Sequence, residues 1–266
     1  MDLQLKGKRA VVTGGSLGIG RAVARSLALE GCDVAICARN EARLNEAAQE
    51  LARETRRRIV PIVCNTVDAE SIKHFIAGAA AALGGIDVLV NGAARPGGTA
   101  GNIETVEDEG VLHDFQEKVL GYLRCARESI PYMKQAGWGR IVNISGGAGR
   151  SPGPNAVSGG IRNIAVANLT KTMASHLGQY GINVMAVYPG LTVTERTYEG
   201  WTEQAAREGT TVEALQRRQA DATIIRHLVT AAEVASVVTF LCSPLSISLT
   251  GEVITVNGGG SPDIHN

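Results

Sequence analysis

The 266-residue sequence predicts one doubly wound α/β domain with a seven-stranded parallel sheet. Three observations carry this expectation. Seven short apolar runs alternate with segments of helical period, a glycine-rich turn joins the first run to the first helix, and no repeat or linker interrupts the order. Strands of a parallel sheet lie under helices on both faces, so they read as unbroken apolar runs rather than as alternating ones.

In order, strand-like runs are expected at 8–12, 33–37, 59–64, 86–90, 141–144 and 182–187, with a last one inside 250–259. Helical patterns are expected at 21–30, 41–55, 69–83 and 109–130, then from the loop after residue 144 to residue 177, and at 231–241. Residues 195–228 are polar and helical and carry Tyr198 and Trp201, which suits a segment covering a substrate. The predicted domain runs over 1–266 without a boundary.

The 26 basic and 26 acidic residues cancel, which gives no electrostatic footprint for nucleic acid or a membrane surface. No signal-type segment or membrane span is expected, and the protein is placed in the cytoplasm. The run Arg56-Arg57-Arg58 reads as a solvated turn. Cys32, Cys37, Cys64, Cys125 and Cys242 lack metal or disulfide spacing, so burial is expected and no metal site.

The turn TGGSLGIG, residues 13–20, carries the first functional signal. Gly14 lets the chain leave the strand sharply, Gly18 removes a side chain where a pyrophosphate approaches, and Gly20 permits close packing of helix on sheet. Ser16, Ile19 and the free N–H groups of the helix start complete an anion cradle. At the end of the second strand, Ala38 stands where an acidic residue would bind a ribose 2′-hydroxyl, and Arg39 follows. An arginine there pairs with a 2′-phosphate, so NADP is expected and NAD is the less favoured alternative. A surface arginine on a turn is the competing reading.

TGGSLGIG, NGAA (91–94), NIS (143–145), YPG (188–190) and GEVITVNGG (251–259) resemble the short-chain dehydrogenase/reductase family in order and spacing, over about residues 6–260. The resemblance implies a Rossmann-type domain, a homotetramer and hydride transfer between NADP(H) and a carbonyl or alcohol. It places Asn65 near adenine, Asn91 beside the cofactor, and Pro189, Gly190, Thr192 and Thr194 along the nicotinamide. The family's catalytic Asn, Ser, Tyr and Lys fall on Lys118, Gly146, Gly159 and Asn163. Asn and Lys have thus exchanged helices, and an ammonium from Lys118 could return to the lost lysine's volume, through space that the two glycines leave clear.

Replacement candidates beside Lys118 and Asn163 are Ser145, which strand alternation would turn away, and Ser158, which could equally cap its helix. Arg162 is expected at the surface or a subunit contact, Tyr188 in packing and His113 at the surface. Three classes stay open: an oxidoreductase of atypical or reduced activity, a non-redox lyase or isomerase, and a cofactor-binding regulator without turnover.

Overall fold

The computed structural model describes residues 1–260; residues 261–266 of the expected domain lie outside the described residues. Nine strands form among the described residues, β1 (Arg9–Thr13), β2 (Asp33–Ala38), β3 (Ile59–Val63), β4 (Val88–Asn91), β5 (Gly139–Ile144), β6 (Ile182–Pro189), β7 (Thr192–Val193), β8 (Val229–Thr230) and β9 (Val253–Val256). Seven of them build one parallel sheet in the order β3-β2-β1-β4-β5-β6-β9. β4, β5 and β6 are buried along their whole length, as strands covered on both faces must be. β7 and β8 pair as a separate small ribbon that the sequence reading did not anticipate, since two residues carry no periodicity.

The helices are α1 (Gly18–Leu29), α2 (Glu41–Thr55), α3 (Ala69–Leu83), α4 (Asp108–Phe115), α5 (Gly121–Ala136), α6 (Val157–Leu177), α7 (Glu195–Glu208), α8 (Val212–Asp221) and α9 (Ala231–Leu241). α1 buries Val23, Ala24, Leu27 and Ala28, one stripe at helical spacing, and shares a core with Val234, Ala235, Val238 and Leu241 of α9. On the opposite face, Phe75, Ile76 and Ala79 of α3 pack with Cys125 and Met133 of α5. All five cysteines are buried and free.

One expected helix is divided. Where the apolar period predicted a single helix over 109–130, α4 passes into one π-helical turn, Gln116–Leu120, before α5 begins. The wider turn admits an extra residue and brings the neighbours Glu117 and Lys118 both to buried positions.

The strand order reverses direction between β1 and β4, and a cleft opens there beyond the C-terminal strand ends, as the fold dictates. The Thr13 hydroxyl ties this edge together by accepting from the N–H groups of Gly92 and Ala93 at 3.0 and 3.1 Å. Gly14 and Gly18 take φ of +74° and +55°, and a Cβ on Gly20 would lie 2.3 Å from the Gly14 carbonyl oxygen. Gly20→Ala must therefore force α1 away from its own loop. A loss of about 1–3 kcal/mol in urea unfolding is expected, together with weakened dinucleotide binding.

Candidate functional site

The cleft has a volume of about 930 Å³ and runs from the glycine turn, past β2 and β4, to the turn after β6. Of the residues expected around a dinucleotide, Gly14, Ser16, Gly18, Ile19, Gly20, Arg39, Pro189, Gly190, Thr192 and Thr194 line it. The start of α1 has no side-chain cap and no acidic residue in its first turn, so its amides are left to an anion. One anion already touches them: Glu195 Oε2 accepts from the Gly18 N–H at 3.2 Å, and Glu195 Oε1 lies 3.9 Å from Arg21. A carboxylate in that position stands in for a phosphate oxygen, so the donor set fits a dinucleotide pyrophosphate.

Two expected contacts are placed differently, and a third lines the cleft with its hydroxyl already engaged. Asn65 turns its side-chain oxygen to the Val67 N–H at 3.3 Å and does not line the cleft, whereas its neighbours Cys64 and Thr66 do. Asn91 is fully buried and donates to Asn143 Oδ1 at 2.9 Å, so it braces β4 on β5 below the cleft floor. The Thr194 hydroxyl is engaged in a capping box with Thr197 at the start of α7.

Lys118 is 4% exposed and lies on the cleft wall. Its Nζ donates to Asn163 Oδ1 at 2.7 Å and to the Ser145 carbonyl oxygen at 3.1 Å. The exchanged residues thus touch each other across the site. Burial pushes the Lys118 amine down to about 7, the Arg162 guanidinium acts in the same direction, and the charges of Glu117 and Asp114 oppose them. The glycines leave no clear passage, contrary to expectation. A Cβ at Gly146 would meet Asn163 Nδ2 at 2.6 Å, and one at Gly159 would meet the Gly97 carbonyl oxygen at 2.5 Å. The Asn163 amide and the loop after β4 occupy the space above them.

Ser145 faces the site rather than away from it, but its hydroxyl is committed to the Asn163 carbonyl at 3.1 Å. Ser158 neither caps α6 nor lines the cleft; it is buried and donates to Asp114 Oδ2 at 2.6 Å. Tyr188 is buried, with its hydroxyl 3.5 Å from the Asn163 carbonyl oxygen, and His113 is exposed. Arg162 is neither at the surface nor free. It is 3% exposed, pairs with Asp114 at 3.6 Å and donates to the Arg95 carbonyl, which pins the loop after β4 onto α6.

The sequence reading also missed Glu117. Buried beside Lys118, it accepts from the Arg95 N–H at 2.7 Å and reaches Arg39 at 3.7 Å, which links the 2′-phosphate candidate to the π-turn. Its partners Arg95 and Arg39 lie far along the chain, so nothing next to it in the sequence signals this role. Among the described residues no cluster of metal ligands exists, and no helix is long and apolar enough to cross a membrane.

The family described as enoyl-(acyl carrier protein) reductase matches residues 14–261. The chain belongs to the short-chain dehydrogenase/reductase family. It is 31% identical to 3-oxoacyl-[acyl-carrier-protein] reductase FabG of Aquifex aeolicus, with 97% of this chain and 99% of that one aligned. Human dehydrogenase/reductase SDR family member 4 is 32% identical over 97% of this chain and 88% of its own. Among solved structures, L-sorbose reductase of Gluconobacter frateurii, complexed with NADPH and L-sorbose, superposes with a TM-score of 0.95 at 28% identity. That match covers 99% of this chain and 100% of the other. The single Rossmann-type domain and its seven-stranded sheet agree with these relatives.

Proposed function

We propose that this family member is an NADP(H)-dependent oxidoreductase acting on a carbonyl or alcohol compound, with Lys118 and Asn163 in place of the family's usual catalytic residues and with atypical or reduced activity. The observation that carries the reading is the Lys118–Asn163 contact at 2.7 Å inside the dinucleotide cleft. The NADPH complex of the similar L-sorbose reductase and the exposed Arg39 at the end of β2 support the choice of cofactor. When bound, that cofactor supplies or accepts a hydride.

The chain's own residues do the remaining work. The α1 amides and the glycine turn would hold the pyrophosphate, and Arg39, which now faces Glu117, would pair with the 2′-phosphate. Asn163 and the Ser145 carbonyl aim the Lys118 amine. An amine titrating at about 7 is present in both forms at neutral pH, so it can give a proton to a developing alkoxide or take one from an alcohol. The loop after β4, held to α6 by the bond from Arg162 to the Arg95 carbonyl, forms one wall of the site.

The test is NADPH oxidation against a panel of ketones, hydroxyketones and aldehydes, followed at the nicotinamide absorbance. Turnover that depends on Lys118 supports the reading. Turnover of a substrate without any absorbance change would replace it with a non-redox enzyme, and cofactor binding without turnover would point to a regulator. Arg39→Ala should weaken NADPH about tenfold to a hundredfold, the worth of a charged hydrogen bond, and leave NADH unchanged in a fluorescence titration. The homotetramer is likewise a proposal, decided by light scattering.

A further inference from the structure

The hydrogen bonds of Lys118 suit the neutral form of its amine. Both of its polar partners, Asn163 Oδ1 at 2.7 Å and the Ser145 carbonyl at 3.1 Å, are acceptors. An ammonium has three N–H donors and no lone pair; a neutral amine has two N–H donors and one lone pair. Two acceptors satisfy the neutral amine in full and leave its lone pair unused. The carboxylates that could hold an ammonium there are engaged elsewhere, Glu117 with Arg39 and the Arg95 N–H, and Asp114 with Arg162, Ser158 and Thr99. Lys118 lines the cleft in which a carbonyl compound would sit.

We propose that Lys118 is a nucleophilic amine that condenses with an aldehyde or ketone in the cleft to form a Schiff base, which gives the site covalent chemistry in addition to hydride transfer. The proposal rests on the reading of the cleft as a carbonyl site. The Nζ lone pair attacks the carbonyl carbon, the C–N bond forms, and an amine proton passes to the oxygen to give a carbinolamine. Protonation of that hydroxyl and loss of water leave a protonated imine on Lys118. Nothing is oxidised or reduced, and the sum is carbonyl plus amine plus proton giving iminium plus water. Asn163 is a positioning residue in this step, because its side-chain oxygen holds one N–H and so directs the lone pair. The depressed titration of the buried amine agrees with the inventory of partners.

The experiment incubates the full chain with propanal and sodium cyanoborohydride near pH 7, which reduces an imine to a stable propylamine, and maps the modified lysines by peptide mass spectrometry. A lysine in water is neutral in only about one molecule in 10³ at this pH, against about half for an amine titrating near 7. Lys118 should therefore be alkylated at least about tenfold faster than the exposed Lys6, Lys73 and Lys171, even after a discount for burial. Asn163→Asp places a carboxylate against the amine, favours the ammonium and should suppress the labelling. Labelling of the exposed lysines with Lys118 unmodified overturns the inference, as does labelling of Lys118 that Asn163→Asp does not slow. If Lys118 stays unmodified while NADPH turnover still requires it, the inference fails and the proposed function stands. If Lys118 is labelled but no NADPH turnover occurs with any carbonyl, the function fails and the inference stands.

Discussion

Lys118→Met should lower kcat for NADPH-dependent carbonyl reduction by about 10²–10⁴-fold, the usual worth of a positioned acid or base. NADPH affinity should change far less, since the glycine turn and Arg39 are untouched. Methionine matches the length of the lysine stem and preserves packing, and it removes a buried amine whose two acceptors then lose their donor. The same variant has a stability signature. The folded amine titrates at about 7, below the unfolded value of about 10.4, so between these pH values the unfolded chain binds a proton that the folded chain does not. Wild type should therefore gain stability relative to Lys118→Met as pH rises through this window, by at most about 1.4 kcal/mol per pH unit, and the gain should level off above it. Urea unfolding of both proteins at pH 7, 8 and 9 measures that slope, and groups common to both cancel in the difference.

Asp114→Ala should cost about 3–5 kcal/mol, because it leaves the Arg162 guanidinium buried without its counter-charge. It also strips the acceptor from the Ser158 hydroxyl and the Thr99 N–H. Burial by itself would raise the Asp114 carboxyl, but the hydrogen bonds from Ser158 and Thr99 and the charge of Arg162 together hold it below its ordinary value. This contribution is complete above the unfolded carboxyl's range and is lost as pH falls through the folded pKa, so wild type and variant should converge in acid. Two controls separate the causes. Asp114→Asn keeps a side-chain oxygen for Ser158 and Thr99 but loses the charge and turns the group facing Arg162 into an NH2 donor, and the double variant Asp114→Leu with Arg162→Met should recover much of the loss by removing both charges together.

The readable parts of this chain were those set by local rules. A glycine turn between a strand and a helix has one backbone purpose, and Gly14, Gly18 and Gly20 take up the conformations and the close approach that it demands. The parallel seven-stranded sheet followed from the alternation of apolar runs with helices, because parallel strands need crossovers, which cover both faces. The contact between Lys118 and Asn163 could be anticipated because two motifs on different helices had exchanged a residue type.

What escaped depends on partners far along the chain. Nothing near Arg162 announces that Asp114 will be buried against it, so a charged residue on a helix is expected at the surface or a subunit contact. The π-turn adds one residue within an otherwise regular apolar period, which is why Glu117 was overlooked although it lies next to Lys118. Asn65 and Thr66 differ by one position at the end of a strand, where alternation decides which one faces the cleft, and the loop turned Asn65 outward. The space above Gly146 and Gly159 was expected to be clear because glycine has no side chain, but a neighbouring amide and a loop carbonyl fill it.

The most direct measurement follows the side-chain ε-carbon of Lys118 by NMR in protein labelled with ¹³C-lysine, with assignment by Lys118→Met, over pH 5–11 with and without NADP⁺. The account predicts one lysine resonance with its transition at about 7, shifted when NADP⁺ binds because the amine lies in the same cleft. A Lys118 resonance that titrates near the ordinary value of about 10.4 and ignores NADP⁺ would contradict it.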